Sequence, residues 1–221
     1  PAKGRSALGG KTLKQKKEII NKTIIVNKDD EYAEYFLSFE ADEKIIFDGQ
    51  KKYETTLLGK YNIYNINAAV EVAKVLNVPE EKIAKAIKNL KPLPGRLEFI
   101  ENNRDLKIIV DYAFEPKALE KLYETIKELP HNKIIHVLGS AGGGRDKSRR
   151  PILGRIAAEN ADIVIVTNED SYDEDPMEII NEVAAGAVTP ICKQNFSVTP
   201  TFRPENLYKI LDRREAIKKA L

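Results

Sequence analysis

The chain has 221 residues, 42% of them apolar and 32% charged, and its 36 basic residues nearly balance 34 acidic ones. This composition is that of a folded globular protein and excludes disordered, collagen-like and disulfide-rich classes. No run of about 18 apolar residues is present, so we expect no membrane span. The balanced charge gives no electrostatic basis for binding nucleic acid. Cys192 is the single cysteine and Pro1–Gly10 lacks an apolar signal core, so we expect a cytoplasmic location.

Short apolar runs and amphipathic segments alternate before Lys91. Apolar runs bounded by Asn, Asp or Gly are typical of strands, and apolar residues at helical spacing predict helices. Strands are predicted at Thr23–Val26, Lys44–Phe47 and Tyr53–Leu58, and helices at residues 31–38, Asn65–Leu76 and Glu80–Leu90. This part of the chain therefore predicts a small α/β unit.

The segment Lys91–Gly95 holds two prolines and a glycine, which is typical of a stiff, exposed connector. We place a domain boundary there, between residues 1–94 and residues 95–221. Beyond it, strands are predicted at Lys107–Val110, Lys133–Leu138, Asp162–Val166 and Phe196–Val198, and helices at Pro116–Leu129, Arg150–Ala158, Pro176–Ala185, Leu207–Leu211 and Arg214–Leu221. Short apolar runs that alternate with helices predict a doubly wound, mostly parallel α/β sheet of the Rossmann-like class.

Three polar loops follow the predicted strands of this second domain. Ligands of parallel sheets bind at the carboxyl ends of the strands, so the segments Asp111–Pro116, Gly139–Asp146 and Thr167–Asp175 are candidate binding loops. The first begins with Asp111, whose carboxylate can accept hydrogen bonds from ribose hydroxyls or cap the following helix. The spacing alone favours neither role.

The segment Gly139–Asp146, called the glycine loop below, leaves a strand and enters a helix. Its glycines allow a ligand to approach the backbone closely, and the helix start with its basic residues favours an anion. The basic residues are Arg145, Lys147, Arg149 and Arg150. A tight turn with a solvated helix start is the structural alternative.

The segment Thr167–Asp175, called the acidic loop below, places Glu169 and Asp170 directly after a strand, where they can bind an ammonium group. Its later acids precede Pro176 and suit a helix N-terminus. An acidic loop beside a basic loop at one sheet edge would bind the two poles of a zwitterion. The opposed charges of the two loops are the feature on which this hypothesis depends.

Two nucleotide-binding patterns fit the sequence poorly. Gly10–Thr12 matches the end of a phosphate loop, but Arg5 stands where the first glycine is needed and no apolar strand precedes it. The glycine loop is not G-x-G-x-x-G, although Glu169 and Asp170 stand about where a dinucleotide site has an acidic residue. A nicotinamide-dependent enzyme therefore stays an alternative.

A collinear series of short motifs resembles the Mur ligase family. The matching segments are Asn27 with Asp29–Asp30, Tyr61–Asn65 with Ala68–Ala69, Pro94–Glu98, Val110–Ala113 with Pro116, Gly142–Asp146, Arg149–Pro151, Ala161–Asp162, Thr167, Glu174–Pro176, and Asp212–Arg213 with Glu215–Ile217. Each motif is weak alone, but their common order is specific. The resemblance is to the branch that adds the third residue of the peptidoglycan stem peptide. It implies a ligase that joins UDP-N-acetylmuramoyl-L-alanyl-D-glutamate to lysine or diaminopimelate, using ATP and Mg²⁺.

The resemblance also implies roles for particular residues. The asparagines Asn62 and Asn65 would lie near the adenine of ATP, Arg96 near its phosphates and Asp111 on its ribose. The residues that would bind the incoming amino acid are Arg145, for the carboxylate, and Glu169, Asp170 and Tyr172, for the side chain. Lys16 would match the family's carbamylated lysine, a magnesium ligand with a catalytic role, or be an exposed helix lysine.

The chain departs from the family's pattern in two of the binding loops. Where the family has D-N-P-R, this chain has Glu169–Tyr172, which lacks the arginine for the distal carboxylate of diaminopimelate. The additional acid and the missing arginine favour lysine or another basic amino acid. Phe114 stands where the family has a histidine after Asp111.

The chain also lacks the family's phosphate loop and UDP-sugar domain, and it stops before the G-K-G-H-E segment. We therefore expect part of a longer ligase, with residues 1–94 a partial central ATP-binding domain and residues 95–221 a truncated amino-acid-binding domain. Its partners would be UDP-muramoyl dipeptide, a free amino acid and the missing N-terminal half, and the fragment alone would be inactive. A cyanophycin- or folylpolyglutamate-type ligase and a noncatalytic nucleotide-binding module stay as alternatives.

Overall fold

The computed structural model describes residues 21–188 and 203–221. The strands are β1 (Thr23–Asn27), β2 (Glu43–Phe47), β3 (Glu98–Ile100), β4 (Ile108–Val110), β5 (Ile135–Leu138), β6 (Ile163–Thr167) and β7 (Leu207–Ile210). The helices are α1 (Ala33–Leu37), α2 (Lys60–Val75), α3 (Glu80–Lys88), α4 (Pro116–Lys127), α5 (Arg149–Asn160), α6 (Pro176–Val188) and α7 (Arg213–Ala220). No helix within these ranges is long and apolar enough to cross a membrane.

The first part of the chain is a small α/β unit, as the apolar runs predict. Strands β1 and β2 pair in parallel, with Ile25 opposite Ile45, and α2 packs on both strands. Helices α2 and α3 share an apolar core that contains Ile66, Val70, Ile83 and Ile87. This packing fixes α2, which carries the two asparagines that the family resemblance assigns to the nucleotide.

The structure corrects the assignment of Tyr53–Leu58 as a strand. These residues form an irregular extended segment without a strand partner among the described residues. The segment runs along the end of α3, where the Thr56 hydroxyl donates a hydrogen bond to the Leu90 carbonyl oxygen at 2.8 Å. Tyr53 and Leu57 pack against the core between α2 and α3, which accounts for the apolar alternation in this segment.

A short antiparallel hairpin of β3 and β4 follows the connector, with Phe99 opposite Ile109. The apolar run of β4 was expected to open the parallel sheet, but in the described chain β4 pairs with β3. The Asn102 side chain explains the reversal, because it donates to the Leu106 carbonyl oxygen at 2.7 Å and accepts from the Arg104 N–H at 3.0 Å. These bonds close the loop that turns β3 back into β4.

The second part is a doubly wound sheet, as the sequence predicts. Its three described strands are parallel in the order β5, β6, β7. Val164 and Val166 of the central strand β6 face a core formed with α4, α5 and α6. Ile165 is also fully buried, and because side chains alternate along a strand it faces the opposite layer, where α7 packs. Both faces of the sheet are therefore covered.

Near the C-terminal end, one element differs from its prediction and another predicted element lies outside the described residues. Leu207–Leu211 was expected to be a helix, but Leu207–Ile210 forms strand β7, and a run this short is easily read either way. Helix α7 begins after Asp212, whose side chain accepts a hydrogen bond from the Glu215 N–H at 3.0 Å and so caps the helix. The strand predicted at Phe196–Val198 lies outside the described residues.

Candidate functional site

A cavity of about 220 Å³ opens beside the connector between the two parts of the chain. Its lining residues are Thr56, Leu57, Leu58, Asn62, Pro92, Arg96, Leu97 and Phe99. The wall is mostly apolar with a few polar groups, which is the usual character of a small-molecule pocket. Asn62 and Arg96, predicted as nucleotide-binding residues from separate motifs, thus line one cavity.

Helix α2 presents the two asparagines to this region. The Asn62 amide nitrogen donates to the Leu58 carbonyl oxygen at 2.7 Å, and the Asn65 amide donates to Asn62 Oδ1 at 3.2 Å. These bonds hold Asn62 at the cavity wall, while Asn65 stands behind it and is exposed. The structure therefore brings the two asparagines together, and Asn62 is the one that lines the cavity.

Asp111 lies next to the cavity and is bound to backbone. Its Oδ2 atom accepts a hydrogen bond from the Leu97 N–H at 2.7 Å, and its Oδ1 atom accepts one from the Ala113 N–H at 2.8 Å. The capping position of α4 is occupied by Glu115 instead. Asp111 therefore joins the connector to the loop after β4, and the oxygens keep lone pairs that can accept from a ligand.

A row of aromatic and cationic side chains runs from the cavity towards the sheet edge. The Arg96 guanidinium stands 5.0 Å from the centre of the Tyr112 ring, and the Tyr112 and Phe114 rings pack edge to face at 5.2 Å. At the far end, the Arg149 guanidinium stands 5.2 Å from the Phe114 ring and pairs with Glu115. The phenylalanine that replaces the family's histidine thus fills a packing position between Tyr112 and Arg149.

The glycine loop and the acidic loop lie side by side at the carboxyl edge of β5 and β6. The Gly142 N–H donates to the Asp170 carbonyl oxygen at 2.8 Å. A Cβ atom on Gly142 would overlap the Ser171 carbonyl oxygen, and one on Gly143, whose φ is +65°, would meet the Tyr172 ring at 2.8 Å. The glycines are therefore required for contact between the loops.

Most of the basic charge beside the glycine loop is neutralised inside the protein. Arg150, only 1% exposed, pairs with Glu174 at 3.1 Å and with Glu182 at 2.7 Å, and Lys147 also pairs with Glu174 at 2.7 Å. Arg149 forms an ion pair with Glu115. This corrects the expectation of a four-residue anion site. Of the four, only Arg145 is exposed and without an ion pair among the residues that the structure describes.

One carboxylate of the acidic loop, that of Glu169, forms no hydrogen bond or ion pair with another described residue. Glu169 is half-buried, and burial raises its pKa, with the neighbouring Asp170 charge acting in the same direction. The guanidinium groups of Arg213 and Arg149 oppose this rise. Tyr172 is 68% exposed and adopts a left-handed backbone, with φ of +52°, that lays its ring over Gly143. Arg145, Glu169, Asp170 and Tyr172 thus lie on two loops that touch.

Sequence reasoning named Arg149 only as part of an anion site and gave no role to Glu115, Arg213 or Tyr112. Arg149 pairs with Glu115, Arg213 donates to the Asn168 carbonyl oxygen at 2.8 Å, and Tyr112 supports Arg96. The Arg149–Pro151 motif was a signal for Arg149, but its pairing with an acid 34 positions earlier along the chain is visible only in three dimensions.

The described residues contain no group of three or more His, Cys, Asp or Glu side chains arranged to hold a metal ion. Lys16, the residue matched to the carbamylated lysine, lies outside the described residues. No magnesium ligand is therefore identified among the described residues.

The parallel sheet with its two facing loops defines an α/β domain of the Rossmann-like class. The connector together with the residues up to Leu97 is called the hinge below, and the cavity beside it the hinge cavity. A family model described as "Mur ligase, glutamate ligase domain" matches residues 95–221, which begins at the predicted boundary and covers more than half of the chain. The chain belongs to the Mur ligase family. The resemblance drawn from the short motifs is thereby confirmed.

Curated relatives carry names from peptidoglycan synthesis. The UDP-N-acetylmuramoyl-L-alanyl-D-glutamate–2,6-diaminopimelate ligase of Clostridium perfringens is 36% identical over 180 residues, which are 80% of this chain and 34% of that protein. A UDP-N-acetylmuramyl-tripeptide synthetase of Roseiflexus is 43% identical over 131 residues, 59% of this chain and 26% of that protein. The chain therefore spans between a quarter and about a third of the length of these relatives.

Solved structures confirm the fold. A folylpolyglutamate synthase of Mycobacterium tuberculosis, complexed with ADP, has a TM-score of 0.67 at 16% identity, over 90% of this chain and 47% of that one. MurF of Acinetobacter baumannii has a TM-score of 0.59 at 18% identity, over 89% of this chain and 44% of that one. At these identities the likeness shows the shared fold alone.

Proposed function

We propose that this chain is the hinge and amino-acid-binding part of an ATP-dependent ligase that adds an amino acid to UDP-N-acetylmuramoyl-L-alanyl-D-glutamate in the cytoplasm. Family membership and the names of the curated relatives support the reaction class. The observation that carries the proposal is the contact between the glycine loop and the acidic loop, which sets opposite charges at one sheet edge.

The hinge cavity is the proposed site of the nucleotide. Its apolar walls suit a flat aromatic base, and the Asn62 side chain supplies a polar group on one side. Arg96 would hold phosphate oxygens, because a guanidinium binds them with paired hydrogen bonds, and Asp111 would accept from the ribose. ATP, when bound, supplies the phosphoryl group that activates the carboxylate of the nucleotide-linked peptide for attack by the amine.

The sheet edge is the proposed site of the incoming amino acid. Arg145 is the exposed cation of the glycine loop and would bind its carboxylate. Glu169 and Asp170 would receive a positively charged side chain, with the Tyr172 ring beside it. Because Glu169 is half-buried, an ammonium group placed there would find a stronger electrostatic attraction than in bulk water. Lysine and other basic amino acids are therefore the proposed substrates, ahead of diaminopimelate.

The chain's own contribution to catalysis is positioning. Holding the amine and the activated carboxyl group in line turns a two-body reaction into an effectively intramolecular one. Magnesium belongs to the proposed cofactor set through the family resemblance, but the described residues offer no acidic cluster for it. The UDP-muramoyl dipeptide and the polypeptide that carries the phosphate loop are the proposed partners.

Phosphate release in the presence of ATP tests the proposal. The protein encoded by the full reading frame should release phosphate only when UDP-muramoyl dipeptide and a basic amino acid are both present. The 221-residue chain alone should give no turnover, because its sequence lacks the phosphate loop. Phosphate release with folate or an aspartate polymer, or binding of NAD that ADP does not displace, would contradict the proposal.

A further inference from the structure

Two carboxylates hold the backbone of the hinge beside the cavity. Glu98 Oε2 accepts a hydrogen bond from the Gly95 N–H at 2.7 Å, and Asp111 Oδ2 accepts one from the Leu97 N–H at 2.7 Å. Between them, the Arg96 N–H donates to the Leu93 carbonyl oxygen at 2.9 Å. Three successive backbone N–H groups of the hinge are therefore fixed.

The backbone held in this way is strained at Leu97. Gly95 has φ of +70° and Leu97 has φ of +49°, and the left-handed region is unfavourable for a branched side chain such as leucine. Leu97 is also only 4% exposed. A strained, buried residue keeps such a conformation only when its surroundings over-determine it, and here the two carboxylate acceptors provide that restraint.

The restraint decides where Arg96 points. With Gly95 and Leu97 both left-handed, the intervening Arg96 is turned to the cavity wall, and its guanidinium rests on the Tyr112 ring at 5.0 Å. It forms no ion pair with another described residue. The guanidinium is thus held by an aromatic face, which leaves its N–H groups available for an anion.

We propose that Glu98 and Tyr112 are positioning residues that preset Arg96 for the phosphates of the nucleotide. This inference rests on the proposed function of the hinge cavity. Glu98 acts through the Gly95 amide and Tyr112 through the guanidinium, and neither needs to touch the nucleotide. Both positions go beyond the residues that the family motifs assign to ATP.

A comparison of ADP binding with adenosine binding distinguishes positioning of Arg96 from general support of the cavity. ADP carries the phosphates that Arg96 would bind, whereas adenosine carries only the base and the ribose. Glu98→Ala should weaken ADP binding about tenfold, the size expected for misplacing one charge-assisted contact, and should leave adenosine binding unchanged. Glu98→Gln, which keeps an oxygen acceptor for the Gly95 amide, should restore ADP affinity.

Tyr112 is tested by a second pair of variants. Tyr112→Leu should weaken ADP binding about fivefold, because the cation–π contact is lost, while Tyr112→Phe should bind as the wild type does. Glu101→Ala, which removes an exposed carboxylate of the β3–β4 loop, is the matched control. Amide hydrogen exchange at Gly95, measured by NMR on the same samples, should accelerate about tenfold in Glu98→Ala alone.

The outcomes distinguish the two proposals. If the wild-type chain binds neither ADP nor adenosine, the proposed nucleotide role of the cavity fails, and the positioning role fails with it. If the wild type binds ADP but Glu98→Ala and Tyr112→Leu bind it equally well, the positioning role alone is overturned. Equal losses for ADP and adenosine would also overturn it, since they would show a structural effect on the whole cavity.

Discussion

The backbone N–H of Leu97 donates a hydrogen bond to Asp111 Oδ2 at 2.7 Å, which joins the connector to the loop after β4. The other oxygen of the same carboxylate binds the Ala113 N–H at 2.8 Å. One side chain thus fixes two backbone segments at the junction of the two parts of the chain. The hinge cavity and the row of aromatic side chains both start at this junction.

Replacement of Asp111 by alanine should lower the free energy of unfolding by about 2 kcal/mol, because two backbone donors lose a charged acceptor. Asp111→Asn, which keeps one oxygen acceptor, should lose about half of that amount. Urea unfolding monitored by circular dichroism measures both changes, with Glu101→Ala as the exposed-carboxylate control. A value for Asp111→Ala equal to that of the control would show that the junction does not depend on this carboxylate.

Arg150 should be required for stability rather than for ligand binding. Its guanidinium is buried between Glu174 and Glu182 and also donates to the Ala141 carbonyl oxygen at 3.2 Å. Arg150→Ala leaves Glu182 and the Ala141 carbonyl oxygen without this partner, and Glu174 with Lys147 alone, and should cost about 2–3 kcal/mol. The matched control on the same helix is Arg155→Ala, which breaks an exposed pair with Glu159 and should cost about 0.5 kcal/mol or less.

Chemical denaturation of the two arginine variants compares these costs directly. Equal losses of unfolding free energy in Arg150→Ala and Arg155→Ala would contradict the interpretation that Arg150 stabilises the protein by joining the glycine loop to α6.

Acid should destabilise the protein through His136. Burial lowers the pKa of this histidine from 6.5 to about 4, and its Nδ1 atom shares a hydrogen bond of 2.7 Å with the Tyr123 hydroxyl. Between these two pH values the unfolded chain takes up the proton and the folded chain does not. The stabilisation is therefore complete above pH 6.5 and declines as the pH falls towards 4.

The chain has two histidines, so replacing each in turn separates the contribution of His136 to the pH dependence of stability. The free energy of unfolding of the wild type should fall by about 1.4 kcal/mol per pH unit more steeply than that of His136→Gln within this window. His131→Gln, at an exposed turn, should follow the wild-type slope. Parallel curves for the wild type and His136→Gln would rule out this source of acid sensitivity.

Glu169 should make the binding of a basic amino acid sensitive to pH. Its pKa is raised by burial and by Asp170, so it takes up a proton at a higher pH than an ordinary glutamate. Lysine affinity should therefore decline on acidification earlier than a carboxylate of normal pKa would predict. Glu169→Gln should bind lysine about tenfold more weakly at neutral pH, with a flatter pH profile.

Calorimetric titration with lysine measures the affinity and its pH profile for the wild type and for Glu169→Gln. Asp170→Asn serves as the comparison, because that neighbour is exposed and its loss should have a smaller effect. Lysine affinity that is the same in Glu169→Gln and the wild type would remove Glu169 from the proposed site.

The parallel sheet and the meeting of its two loops could be predicted from the sequence. The run Ile163–Val166 is apolar throughout because β6 is covered on both faces, and such a run is characteristic of a central parallel strand. Loops that follow neighbouring parallel strands must end at the same edge. The shared edge of the two loops follows from that rule, whereas the pairing of β5 with β6 and the bond of Gly142 to Asp170 are visible only in the structure.

The distribution of charge at this edge could not be predicted. Arg150 is 24 residues from Glu174 and 32 from Glu182 in the chain, and nothing in the local pattern distinguishes it from the exposed Arg145. Strands β3 and β7 were missed for a different reason. Each has only three or four residues, too few for a period to appear, so pairing with a neighbour decides their conformation.

NMR titration of the isotope-labelled chain with L-lysine tests the central claim most directly, namely that the glycine loop and the acidic loop together bind one amino acid. The backbone amide signals of Gly142–Arg145 and of Glu169–Tyr172 should shift together along one binding curve, and L-norleucine, which lacks the side-chain ammonium group, should shift them much less. Shifts confined to one loop, or equal shifts with norleucine, would contradict the account.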